Sequence, residues 1–588
     1  MDSVVQSCET NATIGKDIRP ISTPLTTSYL KTGLVTAPTN ETILDRFKRF
    51  VMTSPNKECV VIADVDTANR QAITFKECDY LSNGLASSLI KSGVGIKDAI
   101  AILMPNCTEF IVSWQALLKC HAYPAFVSFN MRSGEDLKLV LNDLKAVGVI
   151  LHTGKSEEYY EIIKNVFGKF LTSKHDPDIP TLKFVVALGS RPLDGAMLYD
   201  NMVHTEVERE VLLQRVNTVT KDSPCAVFQT SGSTGRAKLV VHRHFGIVNN
   251  VIFQMIRFRT SESGRYFSDR PLTWSGGFLG PFATCIAGLT SVTIDTTISV
   301  VKRDVHSILQ IIAQEKCTMG LMMPYMLYDI LKLPSLQEYQ LDNLKSLWTS
   351  GQRIPDILVE GIKKKLPNVR IGVGYGSTET YLISNHFYDV NDKIEADQKG
   401  TVGYPYPGFE IKITDEFGKL VPVGTSGNIK FKTFQLFTCY LNDEEKTNEK
   451  IEDGWFDLED VAYFTENGYL VFACKKSDMV KRGTVLIAPT NIENVILTHP
   501  AVNKVVVVAV PDPRLYEELC ACIVLHADKP TTEKYIIDYC NQKFTEQTLD
   551  GLSLTPKYVY ILEDFPKLTN GKVDKITLRK MAAEKFDV

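Results

Sequence analysis

No apolar run in this chain reaches the roughly 18 residues that a membrane-spanning helix requires. The opening residues, Met1-Asp2-Ser3-Val4-Val5-Gln6, have neither the basic n-region of a secretory signal nor an Arg-rich amphipathic pattern. The last four, Lys585-Phe586-Asp587-Val588, do not form a Ser-Lys-Leu type peroxisomal signal. A cytoplasmic or organelle-associated protein without a recognisable address is expected, and the sequon Asn40-Glu41-Thr42 then reads as coincidental. An excess of charge of one sign is also missing. The chain carries 65 Lys and Arg against 69 Asp and Glu, a net charge of −4, which gives bulk electrostatics no part in nucleic-acid binding. Its 13 cysteines include no Cys-x-x-Cys pair and no ligand-like Cys/His grouping. Reduced thiols are expected rather than a disulfide framework or a zinc site. No repeat of fixed period stands out.

What is there is ordinary in composition, with 44% hydrophobic and 23% charged residues, and 588 residues are too many for one core. Residues 1–42 are polar and Thr-rich with prolines at 20, 24 and 38, and read as an extension. From Phe47 onward strands and helices alternate: a strand at Cys59–Ile62, a helix from Asp79 to Ser92, a strand at Ala99–Leu103, a helix from Glu109 to Leu118. That spacing predicts α/β layers. After about residue 474 the pattern becomes small α+β: helices at Pro489–Leu497 and Glu533–Lys543, strands at Lys504–Val510, Leu519–Leu525 and Tyr558–Leu562.

Three stretches carry chemistry. The first is Thr230-Ser231-Gly232-Ser233-Thr234-Gly235-Arg236-Ala237-Lys238, between the apolar run Cys225–Phe228 and an apolar helix from Phe245 to Phe258. Glycines let backbone N–H groups approach phosphate oxygens, hydroxyls add donors, and a lysine adds charge. No glycine precedes Lys238 and no Ser or Thr comes after it, so this is not a Walker A loop. The second stretch, Tyr375-Gly376-Ser377-Thr378-Glu379, comes after another short apolar run. The third, Thr569-Asn570-Gly571-Lys572, lies near the C-terminus.

In this order the three stretches resemble the adenylate-forming superfamily, which includes acyl-CoA synthetases, coumarate-CoA ligases, beetle luciferases and peptide-synthetase adenylation domains. The resemblance runs from about Phe47 to Lys580. It implies a large multi-lobed N-terminal domain at 43–473 and a mobile small α+β domain at 474–588, with a hinge at 474–478. It further implies ATP, Mg²⁺ and CoA as cofactor and co-substrates, with a small-molecule carboxylic acid as partner. By position in the motifs, Thr230, Ser231, Gly232, Ser233, Thr234, Gly235 and Lys238 would hold phosphates. Gly351 and Gln352 would line the adenine site; Tyr375, Gly376 and Ser377 would bind the nucleotide, with the backbone near Gly376 beside the α-phosphate. Asp460 would accept from the two ribose hydroxyls, and Lys475 would help bind the nucleotide. Glu379 would bind the metal, and Thr378 and Lys572 would flank the reacting carboxylate. Lys481 would serve the second half-reaction, and Trp274 and Gly276 would border the acyl pocket, where Met322 and Met323 add apolar surface. The two glycines after Trp274 favour close backbone approach to a ligand.

Several positions depart from the superfamily pattern: Leu239, Gln352, Glu459, Lys475 and Ser477, the last beside Cys474 and Asp478 in the expected hinge. Lys475 keeps charge but loses the arginine fork. Three readings result. The leading one is an AMP-forming acyl-CoA synthetase acting on a fatty or other apolar acid. The others are a luciferase-like adenylating oxygenase and a non-catalytic nucleotide- or acyl-binding homologue. No carrier-protein or condensation domain accompanies the motifs, which argues against a peptide-synthetase module.

Overall fold

The computed structural model describes residues 24–588 except 130–132, 155, 231–237, 352–353, 391–392, 396–397, 484, 545–552 and 569–571. The chain divides into two compact units. One takes in Lys31–Glu410 and Lys432–Trp455; the other takes in Ile411–Phe431 and Phe456–Val588 with the short segment ending at Leu30.

The first unit is α/β, built on two large sheets. The nine-stranded sheet has five neighbouring parallel strands, Arg370–Ser377, Ser346–Thr349, Met319–Leu321, Arg265–Ser268 and Thr290–Ile294, with Glu58–Ala63 parallel beyond them. Its far edge turns back antiparallel through Tyr381–Tyr388 and Tyr404–Pro405. The eight-stranded sheet runs from Cys439–Tyr440 through Lys238–Arg243, Pro224–Thr230 and Tyr123–Phe126 to Ala99–Leu103 and three further strands. Near-continuous apolar runs such as Ala99–Leu103, buried at every residue, are what a sheet covered on both faces demands. Two helices begin at reciprocal caps supplied by the sequence. Thr74 and Glu77 form a reciprocal capping box that starts the helix Phe75–Lys91, and Thr42 and Asp45 do the same for Ile43–Thr53.

One expectation is corrected here. The glycine-rich stretch does not join a strand to a helix. Lys238–Arg243 is itself a strand, antiparallel to Pro224–Thr230 with Lys238 opposite Thr230, and the helix starts only at His244. The apolar, β-branched Leu239-Val240-Val241 supplies the reason. Leu239 and Val241 pack into the core beneath this sheet, so a strand, not a helix, begins at Lys238.

An aromatic cluster lies within this unit. Phe228, Phe278, Phe282, Tyr381, Trp114 and Phe126 stack edge-on or tilted, with Trp114 and Phe278 centroids 4.8 Å apart and Phe282 and Tyr381 5.6 Å apart. His242 joins it, 5.7 Å from Tyr381.

The second unit holds an antiparallel group, Phe409–Thr414, Gly427–Thr433, Trp455–Phe464 and Leu470–Lys475, and a five-stranded sheet with helices Pro489–Leu497, Glu533–Lys543 and Lys575–Phe586. Val502–Asp512 and Tyr516–Leu525 form its central antiparallel pair, and apolar cores lie on both faces. This is the small α+β pattern expected from the sequence. Among the described residues no helix is long and apolar enough to cross a membrane, and the twelve described cysteines are free thiols.

Candidate functional site

In the first unit, four of the singled-out segments lie just beyond the carboxyl ends of adjacent parallel strands. Trp274–Gly277 comes after Arg265–Ser268, Met322 and Met323 after Met319–Leu321, Gly351 after Ser346–Thr349, and Thr378 with Glu379 after Arg370–Ser377. Open α/β sheets bind ligands at such strand ends.

The turn at Thr378 and Glu379 is tightly specified. The Ser377 backbone N–H donates to the Thr380 hydroxyl at 3.1 Å, and the Glu379 N–H to Ser377 Oγ at 3.2 Å. Gly376 is obligatory, because a Cβ there would lie 1.7 Å from the Tyr381 carbonyl oxygen. The Thr378 carbonyl accepts from His242 Nε2 at 2.7 Å. Burial pushes His242 down to about 4, so the imidazole is neutral and its proton sits on Nε2. Thr378 Oγ1 also meets Ser275 Oγ at 3.4 Å, and Tyr381 Oη donates to the Ser275 carbonyl at 2.8 Å. The segment read as the acyl-pocket border is thereby brought against Thr378.

Glu379 is buried, and its Oε1 accepts from the Tyr440 hydroxyl at 2.9 Å. Lys238 Nζ lies 5.2 Å from the centroid of the same tyrosine ring. Tyr440 thus touches both the lysine that ends the glycine stretch and the carboxylate assigned to the metal. One carboxylate suits Mg²⁺, which keeps several waters and binds through one or two carboxylates together with substrate phosphates. Among the described residues no cluster of three or more His, Cys, Asp or Glu could hold a metal by itself.

Trp274 is half-buried, with the Arg270 guanidinium 5.9 Å from its ring. Its two glycines divide in role, which corrects the expectation for the pair. A Cβ on Gly277 would strike the Pro271 carbonyl at 2.1 Å, so that glycine serves the chain's own packing. Gly276 faces open space. Gly351 has φ +88°, a left-handed backbone that favours glycine, and a Cβ there would lie 3.7 Å from Met323. Ser231, Gly232, Ser233, Thr234, Gly235 and Gln352 lie outside the described residues.

In the second unit, Asp460 and Lys475 are register partners across an antiparallel pair, and carboxylate and ammonium form an ion pair. Asp460 is buried and Lys475 half exposed. The residue before Asp460, Glu459, has φ +58° at a bulge in the strand pairing. A glycine accepts that geometry without strain. Lys572 keeps much of its surface open, yet its ammonium is held below the usual lysine range, by desolvation first and by Lys475 next, with Asp460 opposing. Three sequence-derived residues therefore feel one another. Lys481 is exposed, and its backbone N–H donates to Glu517 Oε2 at 2.6 Å, a contact that involves none of these three. Near the expected hinge, Lys575 Nζ pairs with Asp478 at 2.7 Å and Arg579 donates to the Ser477 carbonyl at 3.1 Å. Cys474 is buried, its thiol pushed up to about 12 chiefly by desolvation.

Sequence reasoning missed His242, Ser275 and Tyr440. His242 carried a signal: it sits four residues past Lys238, directly after the apolar Leu239-Val240-Val241. Tyr440 carried none, because it reaches Glu379 only through the pairing of Val240 with Tyr440 at a sheet edge.

The sequence model described as AMP-binding enzyme matches residues 47–441, and that described as AMP-binding enzyme C-terminal domain matches 491–572. Curated relatives include the mitochondrial medium-chain acyl-CoA ligase of Mus musculus, 27% identical over 94% of this chain and 89% of its own length. That of Homo sapiens is 26% identical over 96% and 91%. Among solved structures, an anthranilate CoA ligase in complex with anthranoyl-AMP superimposes with a TM-score of 0.78 at 21% identity, covering 94% of this chain and 99% of that one. A fatty acyl CoA synthetase of Mycobacterium tuberculosis gives 0.66 at 20% identity, covering 92% and 99%. The structural likenesses establish the fold.

Proposed function

Because the chain belongs to the AMP-binding enzyme family and its relatives are acyl-CoA ligases, we propose that it activates a fatty or other apolar carboxylic acid with ATP and Mg²⁺ and passes the acyl group to CoA. The observation that carries this reading is the convergence of Lys238, Glu379 and Thr378, from two distant motifs, around Tyr440, His242 and Ser275. A sensor that no longer adenylates has no need to keep the charged pair and the hydroxyl in register.

In the first step a carboxylate oxygen attacks the α-phosphorus of ATP, the bond to the β-phosphate oxygen breaks, and pyrophosphate leaves. Lys238 and the glycine stretch hold the departing phosphates; Thr378 positions the acid. Glu379 would hold Mg²⁺, which when bound would supply positive charge to the phosphate oxygens. Asp460 accepts hydrogen bonds from ribose hydroxyls, with Lys475 paired to that carboxylate and orienting it. Lys572 supplies positive charge between carboxylate and α-phosphate. Such chemistry is mostly positioning and charge stabilisation. In the second step the CoA thiolate attacks the anhydride carbonyl, AMP departs, and the thiol proton goes to solvent. A rotation about 474–478 that withdraws Lys572 would precede it.

The departures from the superfamily pattern support an active enzyme. Leu239 fills the core, Lys475 still pairs with Asp460, and the Ser477 carbonyl accepts from Arg579. The free, largely buried thiols support a reducing compartment. The half-buried Trp274 and the apolar Met322 and Met323 favour an aliphatic tail, and medium chain length is the specific reading that the relatives favour.

The test is pyrophosphate release from ATP and Mg²⁺ across acids from short to very long chain, with and without CoA, for wild type and Lys572→Ala. Acid-dependent release that CoA accelerates and the variant loses is the expected result. Release unaffected by CoA would remove the thioester step. No release from any acid, with nucleotide still bound, would overturn the reading.

A further inference from the structure

Tyr440 belongs to none of the motifs that led to the site, yet it contacts two of their charged residues. Its hydroxyl donates to Glu379 Oε1 at 2.9 Å, its ring lies under Lys238 Nζ at 5.2 Å, and the residue is 3% exposed. The segment carrying it is fastened on both sides. The Phe437 N–H donates to the Glu379 carbonyl at 2.9 Å, the Thr438 N–H to Val241 O at 2.7 Å, and the Leu441 N–H to Leu239 O at 2.8 Å. At Tyr440 itself the backbone N–H is held by Thr447 Oγ1 at 3.0 Å. Residues 437–441 therefore stitch the strand of Lys238 to the turn of Glu379, which belong to different sheets.

From this geometry we propose that Tyr440 is a positioning residue for the divalent cation and the phosphates of the nucleotide. A hydroxyl that donates to one oxygen of a buried carboxylate fixes its orientation and assigns that oxygen to the protein. Oε2 is then the oxygen that a hard cation takes. The ring does the second part of the work. A lysine resting on an aromatic face is attracted to it, so the ring orients the Lys238 ammonium beside the carboxylate that the hydroxyl holds. One side chain thereby sets the separation between a cationic and an anionic group that must address the same triphosphate. This rests on the adenylation reading above.

The test compares wild type, Tyr440→Phe, Tyr440→Leu, Glu379→Gln and the Tyr440→Phe/Glu379→Gln double variant. ATP binding is measured by calorimetry with and without Mg²⁺, and folding is tracked by thermal unfolding. Tyr440→Phe keeps the ring and removes the hydroxyl. It is expected to bind metal-free ATP within about twofold of wild type and to lose several-fold of the gain that Mg²⁺ confers. Tyr440→Leu is expected to weaken metal-free binding as well. In the Glu379→Gln background Tyr440→Phe should have no further effect on the Mg²⁺ gain, the signature of two groups acting as one; a merely structural tyrosine would add its loss independently. Unchanged Mg²⁺ dependence in Tyr440→Phe, with Glu379→Gln affected, overturns the role of Tyr440 and leaves the adenylation reading standing. Unchanged dependence in Glu379→Gln overturns both the metal assignment and the role built on it. If Tyr440→Phe does not fold, the same comparison made with Lys238→Met and Glu379→Gln decides: additive losses overturn the coupling.

Discussion

Asp460 and Lys475 face each other across an antiparallel strand pair, and their opposite charges are in contact, the carboxylate buried and the ammonium half in solvent. In the proposed reaction this carboxylate accepts from the two ribose hydroxyls. Removing it should be felt in nucleotide binding before chemistry. Asp460→Ala is expected to raise KM for ATP at least about tenfold, the loss of one charge-assisted hydrogen bond or more, with acid preference unchanged. Lys475→Arg keeps the pair and is expected to leave KM within a few-fold. Initial rates over an ATP series check both.

Lys572 should govern the rate of the first half-reaction. Lys572→Ala is expected to lower acid-dependent pyrophosphate release by about 10²–10³, the usual consequence of deleting one donor that stabilises developing charge. The required form is the charged one, so activity is present below the pKa of the group and lost as pH rises through it. That pKa is held below the ordinary lysine value. The alkaline limb of the wild-type profile should therefore fall below about pH 10.4, and Lys572→Arg should move it upward.

Two buried histidines set an acid sensitivity of the fold. Burial pushes His242 down to about 4 and His244 to about 3, while the unfolded chain takes up these protons near about 6.5. Between those values the unfolded state binds more protons than the folded one. Stability therefore rises with pH and is lost as pH falls below about 6.5. Each histidine is worth about 2 kcal/mol of that loss at pH 5 relative to pH 8. Urea midpoints at the two pH values should differ less for His242→Gln than for wild type.

Glu459 occupies a left-handed backbone conformation one residue before Asp460. Glu459→Gly is expected to relieve about 1 kcal/mol of strain, partly offset by the greater freedom of glycine in the unfolded chain. A small rise in denaturation midpoint with unchanged KM for ATP is the expected outcome. A fall would show that the side chain's own contacts outweigh the strain.

The ion pair between Lys575 and Asp478 fastens the last helix to the segment proposed as the pivot. Lys575→Ala should spare acyl-adenylate formation and alter the CoA-dependent step. Single-turnover measurements separate the two, and equal effects on both would remove the pivot from the explanation.

The α/β layering and the small α+β segment were legible because they rest on local signals, apolar runs of fixed length and their spacing, whereas Asp460, Lys475 and Lys572 were singled out only by their resemblance to the family's motifs. The strand at Lys238–Arg243 was misjudged because a motif ending in lysine does not specify the backbone beyond that lysine, and the decision lay with Leu239 and Val241 seeking a core. Tyr440, Ser275 and His242 escaped for a related reason. Each acts through a neighbour more than 60 residues away in sequence, a distance that periodicity cannot see. Gly276 and Gly277 were read as one signal, although only the clash with Pro271 separates them.

The aromatic cluster has an optical consequence. Trp114 is fully buried within it, edge-on to Phe278 and Phe282, with its indole N–H donated to the Cys225 carbonyl at 2.8 Å. Trp274, a few residues before Phe278, stands half open where the acid is proposed to enter. The chain therefore carries two fluorophores of opposite character, with only four tryptophans in all to confuse them. One should emit in the blue and resist quenching by acrylamide, reporting whether the scaffold is intact. The other should emit further red and respond to an acyl chain, so that occupancy can be read in the unlabelled protein.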